Sequence, residues 1–243
     1  MIGIIGGSGL DDPKILLSPK EKEIKTPFGN PSSKLIVGEI KGKKVIVLAR
    51  HGKEHNIPPS LVPYRANIWA LKSEGCTHIL ATTACGSLQE QMKPGELVFI
   101  DQFIDFTKQR KYTFFEDKVV HTPMAEPFNL GLRKLLIDAA MKLKLTHHPS
   151  GTIVTIEGPR FSTKAESLMF RNWGADLINM STVPEVVLAN ELGIPYQSIA
   201  MVTDCDCWKE GEKSVTFDLI LERMRDNSEK VKKLLLSTIQ RLE

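Results

Sequence analysis

At 243 residues, 42% apolar and 25% charged, the chain has the composition of a globular protein long enough to bury a core without staples. Its formal net charge of +3 is too small and too scattered to point to nucleic acid, and no apolar run approaches the roughly 18 residues a membrane helix needs. Cys76, Cys85, Cys205 and Cys207 are too few and too unevenly spaced for a disulfide framework, so they read as free thiols in a reducing cytoplasm.

The N-terminal MIGIIGGSGL has neither a basic start nor a cleavage-like site, so it reads as the first strand of the fold rather than a leader. KLIVGEI and KKVIVLA, β-branched runs joined by KGK, predict a hairpin. PYRANIWALKSEG predicts a helix capped at Gly75. THILATT reads as a buried strand and GELVFIDQFID as another. LGLRKLLIDAAMKLKL is an amphipathic helix, and GTIVTIEG returns to strand. KAESLMFRNWG and STVPEVVLANELG are helices ending at Gly174 and Gly193; PYQSIAMVTD is a strand, and a long helix runs from Thr216 to Leu242. There is no repeat, low-complexity tract or linker. The alternation predicts a single α/β domain, residues 1–243, with a parallel or mixed sheet covered by helices.

Ligands of such sheets bind beyond the carboxyl ends of the strands. The first exit is Gly6-Gly7-Ser8-Gly9, an anion cradle or a plain tight turn; it is neither a Walker loop nor G-x-G-x-x-G. The second is Arg50-His51-Gly52, with His55 beyond: a guanidinium fork for an oxyanion, or a surface arginine beside a satisfied histidine. The third is Thr82-Thr83-Ala84-Cys85-Gly86, two hydroxyls suited to an oxyanion or simply favoured in a strand. The fourth is Thr203-Asp204-Cys205-Asp206. Continued as strand, it puts both carboxylates on one face, where they raise each other's pKa, and the cysteines on the other. The cysteines read as packing groups or as a redox pair. Three anion-friendly exits and one acidic exit fit a phosphate beside an amine-bearing heterocycle.

GIIGGSGL, RHG, PYRANIWALKSEGCTHILATTACGS, HTPMAEPF, TIEGPRFSTKAES, GADLINMSTVPEVVLANELGI and MVTDCDCWKE together resemble the trimeric purine nucleoside phosphorylase family, in particular its branch that takes 5′-methylthioadenosine. The ordered match runs from Gly3 to about Ile239. The resemblance implies a twisted mixed sheet partly closed into a barrel and surrounded by helices. It also implies a homotrimer with sites near subunit interfaces, and no metal or organic cofactor, inorganic phosphate being a substrate. The reaction implied is phosphorolysis of the N-glycosidic bond to a free purine and a pentose 1-phosphate.

By resemblance, Ser8, Arg50, His51, Thr83, Ala84 and Ser181 hold phosphate. Met180 lies under the ribose, and Phe161 and Ser162 flank the base. Asp204 faces purine N7 and Asp206 the 6-amino group. His121, with Pro123 and Met124, approaches the 5′ end from an adjacent subunit, while Phe217, Ile220 and Leu221 floor it. Those last three are equally a core-facing helix stripe. In this reading phosphate stabilises an oxocarbenium-like sugar and attacks it, Asp204 donates a proton to the leaving base, and Asp206 accepts from a 6-amino group. Longer animal-type relatives carry a tail over the 5′ pocket beyond the position of Glu243, and their counterpart of TKQRKYTFFEDKVVH is longer. The expected 5′ end is therefore more open, admitting adenosine and other 5′-modified adenosines. Rival readings are a nucleoside hydrolase, a non-catalytic nucleotide- or dinucleotide-binding module and a metal-dependent hydrolase.

Overall fold

A computed structural model describes residues 1–6, 15–211 and 217–242, with side chains outside 217–222. Ser8 therefore lies outside the described residues, as do the side chains of Phe217, Ile220 and Leu221. The centre of the fold is a buried strand, β5 (His78–Ser87). β1 (Ile2–Gly6) runs parallel to its first half, Ile2 opposite His78 and Ile5 opposite Ala81. β4 (Lys43–Ala49) lies beyond β1, also parallel, and turns back through Lys41 and Gly42, both at positive φ, to β3 (Leu35–Ile40). That turn conformation matches the twist of an antiparallel pair, as the hairpin expectation required.

The other flank of β5 carries β11 (Tyr196–Asp204), parallel over most of its length. On the first flank, β10 (Leu177–Asn179) joins β5 antiparallel only at Gly86 and Ser87. Between Ala81 and Gly86, then, β1 has left β5 and β10 has not yet arrived. This opening in the ladder is where the candidate site forms.

β9 (Thr152–Ile156) and β7 (Gln102–Phe106) extend the sheet from β10 in parallel. β6 (Leu97–Phe99) pairs antiparallel with β11 and parallel with the two-residue β8 (His147–His148). β2 (Leu17–Lys22) forms the outer edge beyond β3. The run GELVFIDQFID, expected as one strand, is thus two. It breaks at Ile100-Asp101, where Gln197 donates to the Ile100 carbonyl (2.8 Å) and Asp101 ties to Gly151 and Arg133 (3.0 and 2.8 Å), so the halves join different neighbours. The sheet is mixed, as expected. It is branched and open rather than partly closed into a barrel: three arms leave β5, through β1, β10 and β11, and no pairing among the described residues joins their outer strands.

Alternate residues send their side chains to opposite faces. Ile5, Ile46 and Leu48 pack with α1 (Tyr64–Ser73) and α4 (Thr182–Glu191) through Ile68, Leu71, Val186 and Leu188. Ile4, Val45 and Val47 pack with α2 (Leu130–Lys142) and α5 (Phe217–Ile239) through Leu132, Leu136, Val231 and Leu235. α3 (Lys164–Asn172) starts at a capping box in which Thr163 and Glu166 satisfy each other's backbone N–H groups. Helices on both faces leave the strand ends as the open ground for a ligand.

Candidate active site

A cavity of about 400 Å³ lies over the opening in β5. It is lined by Arg50, His51, Thr83, Ala84, Phe161, Ser162, Met180, Ser181, Asp204 and Asp206. Ten residues chosen from sequence, drawn from five separate stretches of chain, therefore converge on one chamber. His121 is exposed on the connection after β7 and is not among the residues lining this chamber. Pro123 and Met124 are not among them either.

One end of the cavity is cationic and rich in hydroxyls. Arg50 follows β4 and is almost wholly buried (2% exposed). Its Nε and one terminal nitrogen donate to the two oxygens of Glu185 in α4 (2.7 and 2.8 Å), and the other donates to the Thr82 carbonyl (2.8 Å) left free by the opening in the ladder. Burial opposes its charge, but Glu185 outweighs burial and holds the guanidinium firmly protonated. The arginine is thus neither a surface group nor a loose one. His51 is pushed down to about 4, first by burial and then by the Arg50 charge. It is neutral at pH 7, and its Nδ1 sits 2.9 Å from the Ile57 carbonyl. That contact puts the ring proton on Nδ1 and leaves Nε2 with a lone pair. Thr83 and Ser181 stand with their hydroxyls 3.0 Å apart.

The other end is acidic. Asp204 closes β11, and burial raises its carboxyl above the usual aspartate range, even though Thr203 (2.6 Å) and the Asp206 N–H (2.9 Å) donate to it. The alternation expected of DCDC ends at this point. Asp206 adopts φ 44°, in the left-handed region, so the chain turns and Asp206 does not repeat the strand direction of Asp204. Both carboxyls remain buried at the cavity, but Cys207 is not set opposite them. Its Sγ lies 3.4 Å from the Ser162 carbonyl and 3.9 Å from Asp206 Oδ2. Ser162 in turn presents its hydroxyl to both oxygens of Asp206 (2.9 and 2.8 Å). Gly86 makes the turn possible, since a Cβ there would sit 3.0 Å from Asp204 Oδ2 and 3.1 Å from Ile178. No disulfide joins the four cysteines. Among the described residues no three His, Cys, Asp or Glu side chains converge as a metal site.

The chain is similar to known proteins along nearly its whole length. The sequence pattern of the Phosphorylase superfamily matches residues 1–240. The chain belongs to that superfamily. The S-methyl-5′-thioadenosine phosphorylase of Xenopus tropicalis is 56% identical over 248 residues, 99% of this chain and 88% of that protein. The enzyme of the same name from Thermofilum pendens is 54% identical over 98% of this chain and 90% of its own. The structure of methylthioadenosine phosphorylase from Schistosoma mansoni in complex with adenine superposes with a TM-score of 0.95 at 47% identity, covering 98% of this chain and 90% of that one.

Within this phosphorylase, several structural partners of the site escaped the reading of the sequence. Glu185 carries the Arg50 fork, and Tyr196 donates to it as well (2.7 Å). A lone acid inside the apolar stretch STVPEVVLA was the available signal, since an unpaired buried carboxylate is costly. Asn56, Ile57, Pro58 and Pro59 form one wall, and Met201 and Met224 add apolar surface. Nothing in their local pattern distinguishes them from ordinary loop and core residues. Arg110, 8% exposed, ties Tyr64 and the Glu157 carbonyl (3.2 and 2.8 Å) behind the site.

Proposed function

We propose that this chain cleaves the N-glycosidic bond of 5′-methylthioadenosine with phosphate, giving adenine and 5-methylthioribose 1-phosphate. The observation that carries the reading is the pairing of two buried aspartates with a guanidinium, a neutral imidazole and two hydroxyls across a single cavity. The names and adenine complex of the relatives support the same substrate class.

In this mechanism Arg50, His51, Thr83 and Ser181 bind inorganic phosphate below the sugar, with Ala84 beside them; Ser8, outside the described residues, shares that role by resemblance alone. Three of Arg50's five N–H groups are engaged by protein, leaving two for an oxyanion. The bound anion stabilises the oxocarbenium-like carbon and attacks it. Asp204, whose raised carboxyl retains a proton more readily than a free aspartate, donates it to N7 as the base leaves. Asp206, oriented by Ser162, accepts from the 6-amino group. A 6-oxo group there would set oxygen against oxygen. Phe161 covers the base and Met180 the ribose. No cofactor takes part.

The 5′ end is completed by a second copy. His121, on an exposed segment, reaches a neighbouring subunit's pocket in a homotrimer; the floor assigned by resemblance to Phe217, Ile220 and Leu221 rests on side chains outside the described residues. Cysteines without a disulfide suit a cytoplasmic enzyme. The test is purine release from methylthioadenosine, adenosine, inosine and methylthioinosine, each with and without phosphate. Release that depends on phosphate and favours 6-amino substrates supports the proposal. Release independent of phosphate turns the chain into a hydrolase.

A further inference from the structure

We infer that Asn179 is a positioning residue that turns the hydroxyl proton of Thr83, which stands beside the Ser181 hydroxyl, toward the anionic co-substrate. This rests on the reading of those hydroxyls as phosphate ligands. Asn179 ends β10, one residue past the last pairing with β5, and its amide reaches into the opening of the ladder. It is 5% exposed. Its nitrogen donates to Thr83 Oγ1 (2.9 Å) and Thr182 Oγ1 (2.7 Å), and its oxygen accepts from Thr155 Oγ1 (2.9 Å).

Every partner of this amide is a hydroxyl, so the amide sets the direction of the whole chain. The fully buried Thr155 gives its proton to Asn179, which then gives both of its own away. Thr83 Oγ1, having accepted one proton, must donate its own elsewhere. Its alternatives within the protein are Ser181 Oγ at 3.0 Å and the Ala84 carbonyl at 3.1 Å, both longer than the bond it receives. A phosphate oxygen is the stronger acceptor. Ser181 stands at the N-cap of α4 but makes no capping bond with its side chain, so its hydroxyl is not spent on the helix. Donation from a neutral amide also polarises the hydroxyl that receives it, which strengthens the onward bond.

The experiment measures KM for phosphate at saturating nucleoside and KM for nucleoside at saturating phosphate. The enzymes are the parent, Asn179→Leu, Thr83→Val, the double variant and Thr155→Val. Asn179→Leu should raise the phosphate KM about tenfold, the scale of one lost hydrogen bond to a charged group, while the nucleoside KM stays within about twofold. Added to Thr83→Val, the same change should have much less effect, because the hydroxyl it acts through is gone. Thr155→Val should move the phosphate KM in the same direction by a smaller step. Equal rises in both KM values, or a full tenfold effect in the Thr83→Val background, would overturn the inference. Should Asn179→Leu not fold, an unchanged phosphate KM in Thr155→Val overturns it and a selective rise supports it. Parent activity that ignores phosphate would instead defeat the functional reading. A phosphate-dependent parent with an unmoved Asn179→Leu defeats this inference alone.

Discussion

Asp204 and Asp206 stand two residues apart, yet their surroundings give them different tasks. Burial raises Asp204, which suits it to carry a proton to a leaving base. Asp204→Ala should therefore cost at least about a hundredfold in kcat, the lower range for a general acid. Single-turnover base release checks this, and a fall of only severalfold removes Asp204 from the chemistry. Asp206, held by Ser162, is the reader in the proposed mechanism. Asp206→Asn can donate to a 6-oxo group and should shift the kcat/KM ratio of inosine to adenosine upward; an unchanged ratio leaves the reading role without support. His51 gives a pH dependence whose sign follows from its shift. An unfolded imidazole titrates near 6.5, whereas the folded one is pushed down to about 4. Between those values the unfolded chain binds a proton that the folded chain refuses. The contribution of His51 is therefore intact above 6.5 and lost as pH falls toward 4. Urea unfolding at a series of pH values should show His51→Gln losing less stability than the parent across that window.

At the scale of elements, what was legible in the sequence was whatever carries its own pattern. The paired runs of β3 and β4, the buried β5 and β11 and the periodic α2 and α5 announce themselves by alternation or by a 3.6-residue stripe. β2 does not: LSPKEK is exposed along its whole length, and a proline and charges suit an edge strand rather than identify one. β8 and β10, of two and three residues, exist because a neighbour supplies their ladder. The same divide runs through the site. Residues with distinctive chemistry at strand exits were readable, whereas Glu185 and Asn179 act by filling spaces that other elements create. The union of β4 with α4 through Arg50 and Glu185 makes the point testable. Removing one partner of a buried pair leaves a charge without its counterion, at a cost of about 3–5 kcal/mol. Glu185→Ala should lower unfolding stability by about that amount and weaken phosphate binding, since the arginine fork loses its support. Glu185→Gln, which keeps a hydrogen bond, should lose less. Denaturant midpoints together with phosphate KM values decide it, and a Glu185→Ala protein as stable as the parent would deny the pair its organising role.

The whole molecule presents apolar side chains where an isolated chain gains nothing from them. Leu61 is 71% exposed beside the wall of the cavity, and Val119 and Val120 are 82% and 40% exposed next to His121. The connection that carries these valines is anchored elsewhere: Arg110 is buried, and Glu191 accepts from Thr113 and from the Phe114 N–H (both 2.7 Å). Its apolar tip is thus held out toward solvent on a fixed base. Such exposed apolar surface fits an interface between copies, as the proposed trimer requires. Val119→Asp places a charge in that contact and leaves the cavity of its own chain untouched. Light scattering should give a trimer for the parent and smaller species for the variant. Because His121 travels with Val119, the dissociated enzyme should also lose preference for a 5′-methylthio group over a 5′-hydroxyl, read as the ratio of kcat/KM for methylthioadenosine and adenosine. Base release itself draws on residues within one chain and should survive better than that ratio. A parent that is monomeric, or a Val119→Asp variant that is trimeric with its preference intact, removes the subunit boundary from the account of the 5′ end.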